Sequence, residues 1–179
     1  MKMRESKRSF ILCYMAGFFI GILYANIISG DYILNAGILD DFFLENYIKT
    51  DVDMSGYLCY VAYIRLLPVL VLAALSRAKL RKGAALGCIV WTGFSCGLIL
   101  AAAVMKMGVK GILLCLLSML PQGICYVTAY IMLLWYLYFY PQVKWNASKT
   151  LCFAIFMMVG IVLECYVNPV IMKLFLQAL

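Results

Sequence analysis

The chain has 179 residues, 66% of them hydrophobic and 13% charged, with a mean hydropathy of +0.99. That balance excludes a soluble domain, and at roughly 20 residues per span it leaves room for about five or six membrane helices and no separate catalytic domain. The net charge of +7 does not point to nucleic acid, because the basic residues sit at the ends of apolar segments, where they read as topology signals and anionic-lipid contacts.

The sequence contains no histidine, which removes the commonest general base and the commonest metal ligand. Its eight cysteines form no CxxC pair and all lie in or beside apolar segments, so they behave as small hydrophobes. No metal or cofactor is expected.

In chain order, a basic start (Lys2, Arg4, Lys7, Arg8) precedes the apolar run 10–28. Leu23-Tyr24-Ala25 is a faint cleavage-like site, but the run is long for a signal-peptide core and reads as an uncleaved first span. Gly17, Gly21 and Ala25 recur every four residues and form one small-residue face. The segment Asp31–Asp53 follows, with six acids against one base, Lys49. Leu34, Ile38, Leu39, Phe42, Phe43 and Tyr47 recur at helical spacing opposite Asn35, Asp41, Glu45 and Lys49, with Asp31 as N-cap. This predicts an amphipathic helix lying on the outer membrane surface or docked against the other spans. Phe42, Phe43, Asp41 and Glu45 are its candidates for docking a partner, against the simpler reading of a solvated helical loop.

The second span, 57–76, contains Arg65 and Pro68 and is followed at once by Arg77, Lys79, Arg81 and Lys82. That basic loop and the basic amino terminus mark one side as cytoplasmic. The third span, 84–105, carries Gly93-Phe94-Ser95-Cys96-Gly97, which fits the G-x-S-x-G nucleophile pattern. The pattern needs a strand–turn–helix setting and a histidine partner, so its glycines read instead as packing positions. A short turn, Lys106–Gly111, leads into a fourth segment, 112–140, that is longer than one span needs. Pro121 sits a third of the way along it and predicts a kink or a break. The tyrosines of its second half, Tyr126 and Tyr130 included, read as part of an interfacial belt. The fifth span is 151–171. With the amino terminus inside, ten basic residues fall on the inner side and four on the outer side, and Arg65 lies within the membrane.

The last span holds Glu164, a carboxylate that cannot stand alone in hydrocarbon, and Pro169, a second expected helix break. Arg65 is its best partner. Counted from the span ends, Arg65 lies roughly 12 Å and Glu164 roughly 10 Å below the outer surface. Gln122, Asn168 and Asn26 fall in the same outer half, so the predicted polar cluster is Arg65, Glu164, Gln122, Asn168 and Asn26. It reads either as a pair locking helices together or as a proton or substrate pathway.

Several short motifs carry a family resemblance. Gly21-Ile22-Leu23-Tyr24-Ala25-Asn26, Thr92–Gly97, Gly108-Val109-Lys110-Gly111-Ile112, Leu120-Pro121-Gln122 and Glu164-Cys165-Tyr166-Val167-Asn168-Pro169 follow, in order and spacing, motifs of the stage II sporulation protein M family. Cys165 stands where that family has alanine, and Gly123 where it often has asparagine. The resemblance implies a multi-pass protein of the bacterial cytoplasmic membrane. It also implies that the chain anchors membrane-associated peptidoglycan hydrolases on the outer face during engulfment in sporulation.

The expectation is thus an all-α, polytopic transmembrane bundle of about five spans forming a single membrane domain, with an outer-surface amphipathic helix and a proline-broken fourth segment. Its expected role is a non-enzymatic scaffold. The alternative is a small transporter or channel subunit that uses the Arg/Glu/Gln cluster, although the odd span count gives no inverted repeat.

Overall fold

The computed structural model describes residues 2–28, 30–35, 41–49, 54–75 and 81–177, and every regular element among them is helical. In order these are α1 (Lys2–Ile27), α2 (Gly30–Asn35), α3 (Asp41–Lys49), α4 (Met54–Leu75), α5 (Arg81–Met107), α6 (Val109–Met119), α7 (Gln122–Phe139), α8 (Ala147–Val162) and α9 (Asn168–Gln177). A π-helical turn, Leu163–Val167, joins α8 to α9, so Ala147–Gln177 is one rod of 31 residues. At 1.5 Å per residue it is about 46 Å long, more than the hydrocarbon thickness.

Among the described residues, five helices are long and apolar enough to cross a membrane: Arg8–Ile27, Ser55–Leu75, Arg81–Met107, Gln122–Phe139 and Ala147–Gln177. Their outward faces carry large apolar side chains such as Leu12, Leu70, Trp91 and Met158, as expected of surfaces that meet lipid. The fourth segment is broken where Pro121 predicts it: a turn at Leu120 and Pro121 separates α6 from α7. Pro169, by contrast, does not end its helix. The preceding turn widens to π geometry, which removes the collision of the proline ring with the carbonyl four residues back.

The segment read as one amphipathic helix over Asp31–Asp53 contains two shorter helices, and residues 36–40 and 50–53 lie outside the described ones. Helix α2 begins at Gly30, so Asp31 lies in its first turn and is not the N-cap. Helix α3 runs from Asp41 to Lys49, and the Lys49 cation stands at the helix end whose dipole favours it.

The helices pack as two compact units, Met1–Tyr47 with Leu86–Cys115, and Ile48–Ala85 with Leu116–Leu179. In the first unit, α1 and α5 meet along a glycine seam. Gly17 lies against the Val90 carbonyl and Gly21 against the Phe94 carbonyl; in return Gly93 meets the Tyr14 carbonyl and Gly97 the Phe18 carbonyl. Residue numbers rise together along both helices, so α1 and α5 run parallel. A Cβ at any of these four positions would strike backbone of the facing helix, and only glycine permits the approach. The G-x-S-x-G sequence is therefore half of this seam. At the far end of α5, Gly108 adopts a left-handed φ of 60° and turns the chain. Gly111 then seats against Ala103, and Leu114 is buried.

The second unit is built from α4, α7 and the α8–α9 rod. Its core is Val61 of α4, Tyr126 and Ala129 of α7, and Met157, Ile161 and Cys165 of the rod. Gly160 lies directly against the Tyr126 ring, where a Cβ would stand 2.7 Å from a ring carbon.

The seam predicts that Gly21→Leu or Gly97→Leu destabilises the protein by about 1–3 kcal/mol through forced separation of α1 and α5. Gly87→Ala, at a position with nothing within 4 Å of an added Cβ, should be tolerated. Thermal stability of the detergent-purified full chain checks the contrast.

Candidate functional site

Arg65 projects from the middle of α4 and Glu164 from the π turn of the rod. The wide turn is closed by the Asn168 N–H, which donates to the carbonyl of Leu163 five residues back. Pro169, next in line, has no N–H to give. A turn with one extra residue shifts the phase of the side chains it carries, and such bulges recur where a helix must aim a polar group.

The two side chains form a two-point ion pair. Arg65 Nε donates to Glu164 Oε2 at 2.9 Å and Nη2 donates to Oε1 at 2.5 Å. Tyr126 of α7 adds a third donor, its hydroxyl lying 2.7 Å from Oε2. The guanidinium carbon sits 4.8 Å from the centre of the same tyrosine ring, so one residue serves the carboxylate with its hydroxyl and the cation with its π face. Tyr130, one turn along α7, donates to the Arg65 carbonyl at 3.3 Å. The Glu164 side chain is 13% exposed and that of Arg65 is 41% exposed.

The structure thus joins Arg65 to Glu164 as expected and gives the rest of the predicted cluster other roles. Gln122 is buried, but its side-chain N–H₂ donates to the Ser118 carbonyl across the α6–α7 break. Its Oε1 has no hydrogen-bond partner among the described residues, nor has the buried Oδ1 of Asn168. Asn26 belongs to the other unit and turns its amide onto its own helix, donating to the Ile22 carbonyl at 2.8 Å. The third donor to Glu164 is Tyr126, a residue that reads as part of an aromatic belt because tyrosine is common at membrane interfaces. The available signal was its position inside a span, where a hydroxyl needs a partner.

Of the docking candidates, Phe42 on α3 is 78% exposed and Glu45 is exposed, while the side chains of Asp41 and Phe43 lie outside the described ones. Tyr47, at the other end of α3, is partly covered, and burial pushes its phenol up from the ordinary value. No group of three or more metal-ligating side chains comes together among the described residues.

Chemically, the arrangement is a clasp. Both oxygens of the carboxylate accept from the guanidinium, one also accepts from a phenol, and three helices meet on one acid. Comparison with family models, with curated proteins and with solved structures found no match to this chain.

The clasp predicts that Arg65→Leu or Glu164→Leu alone strands a charge and lowers folded yield, at a cost of about 3 kcal/mol on an insertion scale. The double change to Leu should recover much of that loss. Tyr126→Phe, which keeps the ring under the guanidinium, should cost about 1.5–3 kcal/mol, the value of one bond to a charged group. The monodisperse fraction after extraction, measured for all four variants, checks the cycle. A double variant as poor as the sum of the singles would mean that the two residues do not act as a pair.

Proposed function

We propose that this chain is a non-enzymatic integral membrane scaffold. The observation that carries the reading is the state of its one carboxylate within the spans: Glu164 is held by three donors from two neighbouring helices, an arrangement that fixes helices in register. The glycine seam has the same character, a fixed backbone contact between α1 and α5.

The finer form of the proposal draws on the resemblance to the stage II sporulation protein M family. It assigns the chain to the cytoplasmic membrane of a bacterium with its amino terminus inside, where it anchors and localises peptidoglycan-degrading partners on the outer face. The excess of basic residues on the predicted inner side supports that orientation. Helix α3, with Phe42 and Glu45 exposed, supplies an outer surface for a partner.

A small transporter or channel subunit is the second reading, and one observation favours it. The buried, unpartnered oxygens of Gln122 and Asn168 are acceptors that a passing solute or proton carrier could use.

Cysteine labelling in a Cys-free background tests the orientation. A cysteine at Asp51 should react with an impermeant reagent added outside, and one at Lys79 should not; the reverse pattern inverts the topology. Changing Phe42 and Phe43 to Ser should reduce copurification of a peptidoglycan hydrolase about tenfold or more while leaving the membrane level of this chain intact. Unchanged copurification would remove α3 as the docking element. Solute or proton flux that is lost in Gln122→Leu at normal protein level would favour the transporter reading.

A further inference from the structure

At one end of the second unit three helix ends converge: the start of α5, the end of α7 and the start of α8. The Arg81 guanidinium carbon lies 4.1 Å from the centre of the Tyr140 ring, and Lys82 Nζ lies 5.9 Å from that of Tyr138. Neither cation pairs with a carboxylate among the described residues. An aromatic ring orients a cation without neutralising it, so both positive charges remain available to an anion.

The connection from α7 to α8 adds to the same end. Lys144 is exposed, and Lys149 in the first turn of α8 reaches back so that its Nζ donates to the Lys144 carbonyl at 2.7 Å, which ties the two ammonium-bearing residues together. Trp145 anchors that loop: its ring packs 5.1 Å from that of Tyr136, and its indole N–H donates to Thr150 Oγ1 at 2.7 Å. Cations therefore stand on a fixed aromatic floor. The floor lies at the ends of membrane-crossing helices, the depth at which tyrosine and tryptophan meet lipid headgroups.

We propose that this end of the unit is a binding surface for the headgroup of an anionic phospholipid, with Arg81 and Lys82 as its principal contacts to the phosphodiester and Lys144 beside them. The depth selects a lipid over a soluble phosphate: a headgroup presented by the leaflet is already confined to the plane of the aromatic floor. The sign of the charge selects anionic lipids, because a zwitterionic headgroup brings its own cation to a surface that is already positive.

The test uses the full chain, purified in detergent and delipidated, titrated with phosphatidylglycerol and separately with phosphatidylcholine, with bound lipid counted by native mass spectrometry. Phosphatidylglycerol should bind more tightly than phosphatidylcholine. Arg81→Gln with Lys82→Gln should weaken phosphatidylglycerol binding roughly 25-fold, about fivefold for each cation removed near a headgroup. Lys106→Gln with Lys110→Gln removes the same net charge elsewhere and should leave the affinity unchanged. Because basic residues also orient the chain, Lys82→Gln alone serves as a second variant, expected to lose about fivefold. Equal binding of the two lipids, or equal losses for the two double variants, would overturn the proposal. Full competition by millimolar inorganic phosphate would assign the surface to a soluble anion and overturn it as well.

Discussion

The ion pair between Arg65 and Glu164 is the interaction on which the second unit depends. Between helices in hydrocarbon there is no hydrophobic driving force, since lipid tails are as apolar as the side chains they meet. Shape and polar contact must hold the helices instead. A charge placed there alone is costly, but two opposite charges in two-point contact, with a phenol on the same carboxylate, offset much of that cost. The geometry is demanding as well. Sliding α4 along the rod by a single residue, about 1.5 Å, would break both guanidinium bonds. The pair therefore sets the depth of one helix against another, while Tyr126 ties α7 to the same point.

The first unit reaches the same end by another route. Its seam has no charge, and α1 and α5 approach until glycine Cα positions touch the carbonyls of the opposing backbone. Close approach increases dispersion contact and allows weak Cα–H···O bonds, which are worth most where no water competes. The two solutions tolerate different errors. A seam of backbone contacts is disturbed by a single added carbon, whereas the clasp is disturbed by loss of one charge and restored by loss of both.

Prolines divide the labour in the second unit. Pro68 remains inside α4, one turn from Arg65, and the Arg65 carbonyl gains a side-chain donor from Tyr130. Pro121 ends one helix and begins the next, and the Gln122 side chain supplies a donor to the Ser118 carbonyl left at that break. Pro169 stays within a continuous rod because the turn before it widens. In hydrocarbon the lost backbone bonds cannot be made up by water. At the Pro121 break the Gln122 side chain donates to the Ser118 carbonyl.

The sequence by itself determined the class: apolar runs of span length allow only helices in a bilayer, because every backbone group must be satisfied within its own segment. It also determined that Glu164 needs a partner and that Arg65 is the best placed, since both follow from the cost of a lone charge and from counting residues to the span ends. The break at Pro121 and the packing use of Gly17, Gly21, Gly93 and Gly97 were legible for similar local reasons. Tertiary structure alone decided the rest. Which glycine meets which carbonyl depends on the register of α1 against α5, and helical spacing leaves that open. Tyr126 rather than Gln122 or Asn168 completes the carboxylate because of the direction each side chain takes from its helix. That direction depends on the rotation of α7 against the rod and on the π turn that re-aims Glu164. Helix rotation leaves no trace in hydropathy when every face of a span is apolar, so only the packed helices fix it.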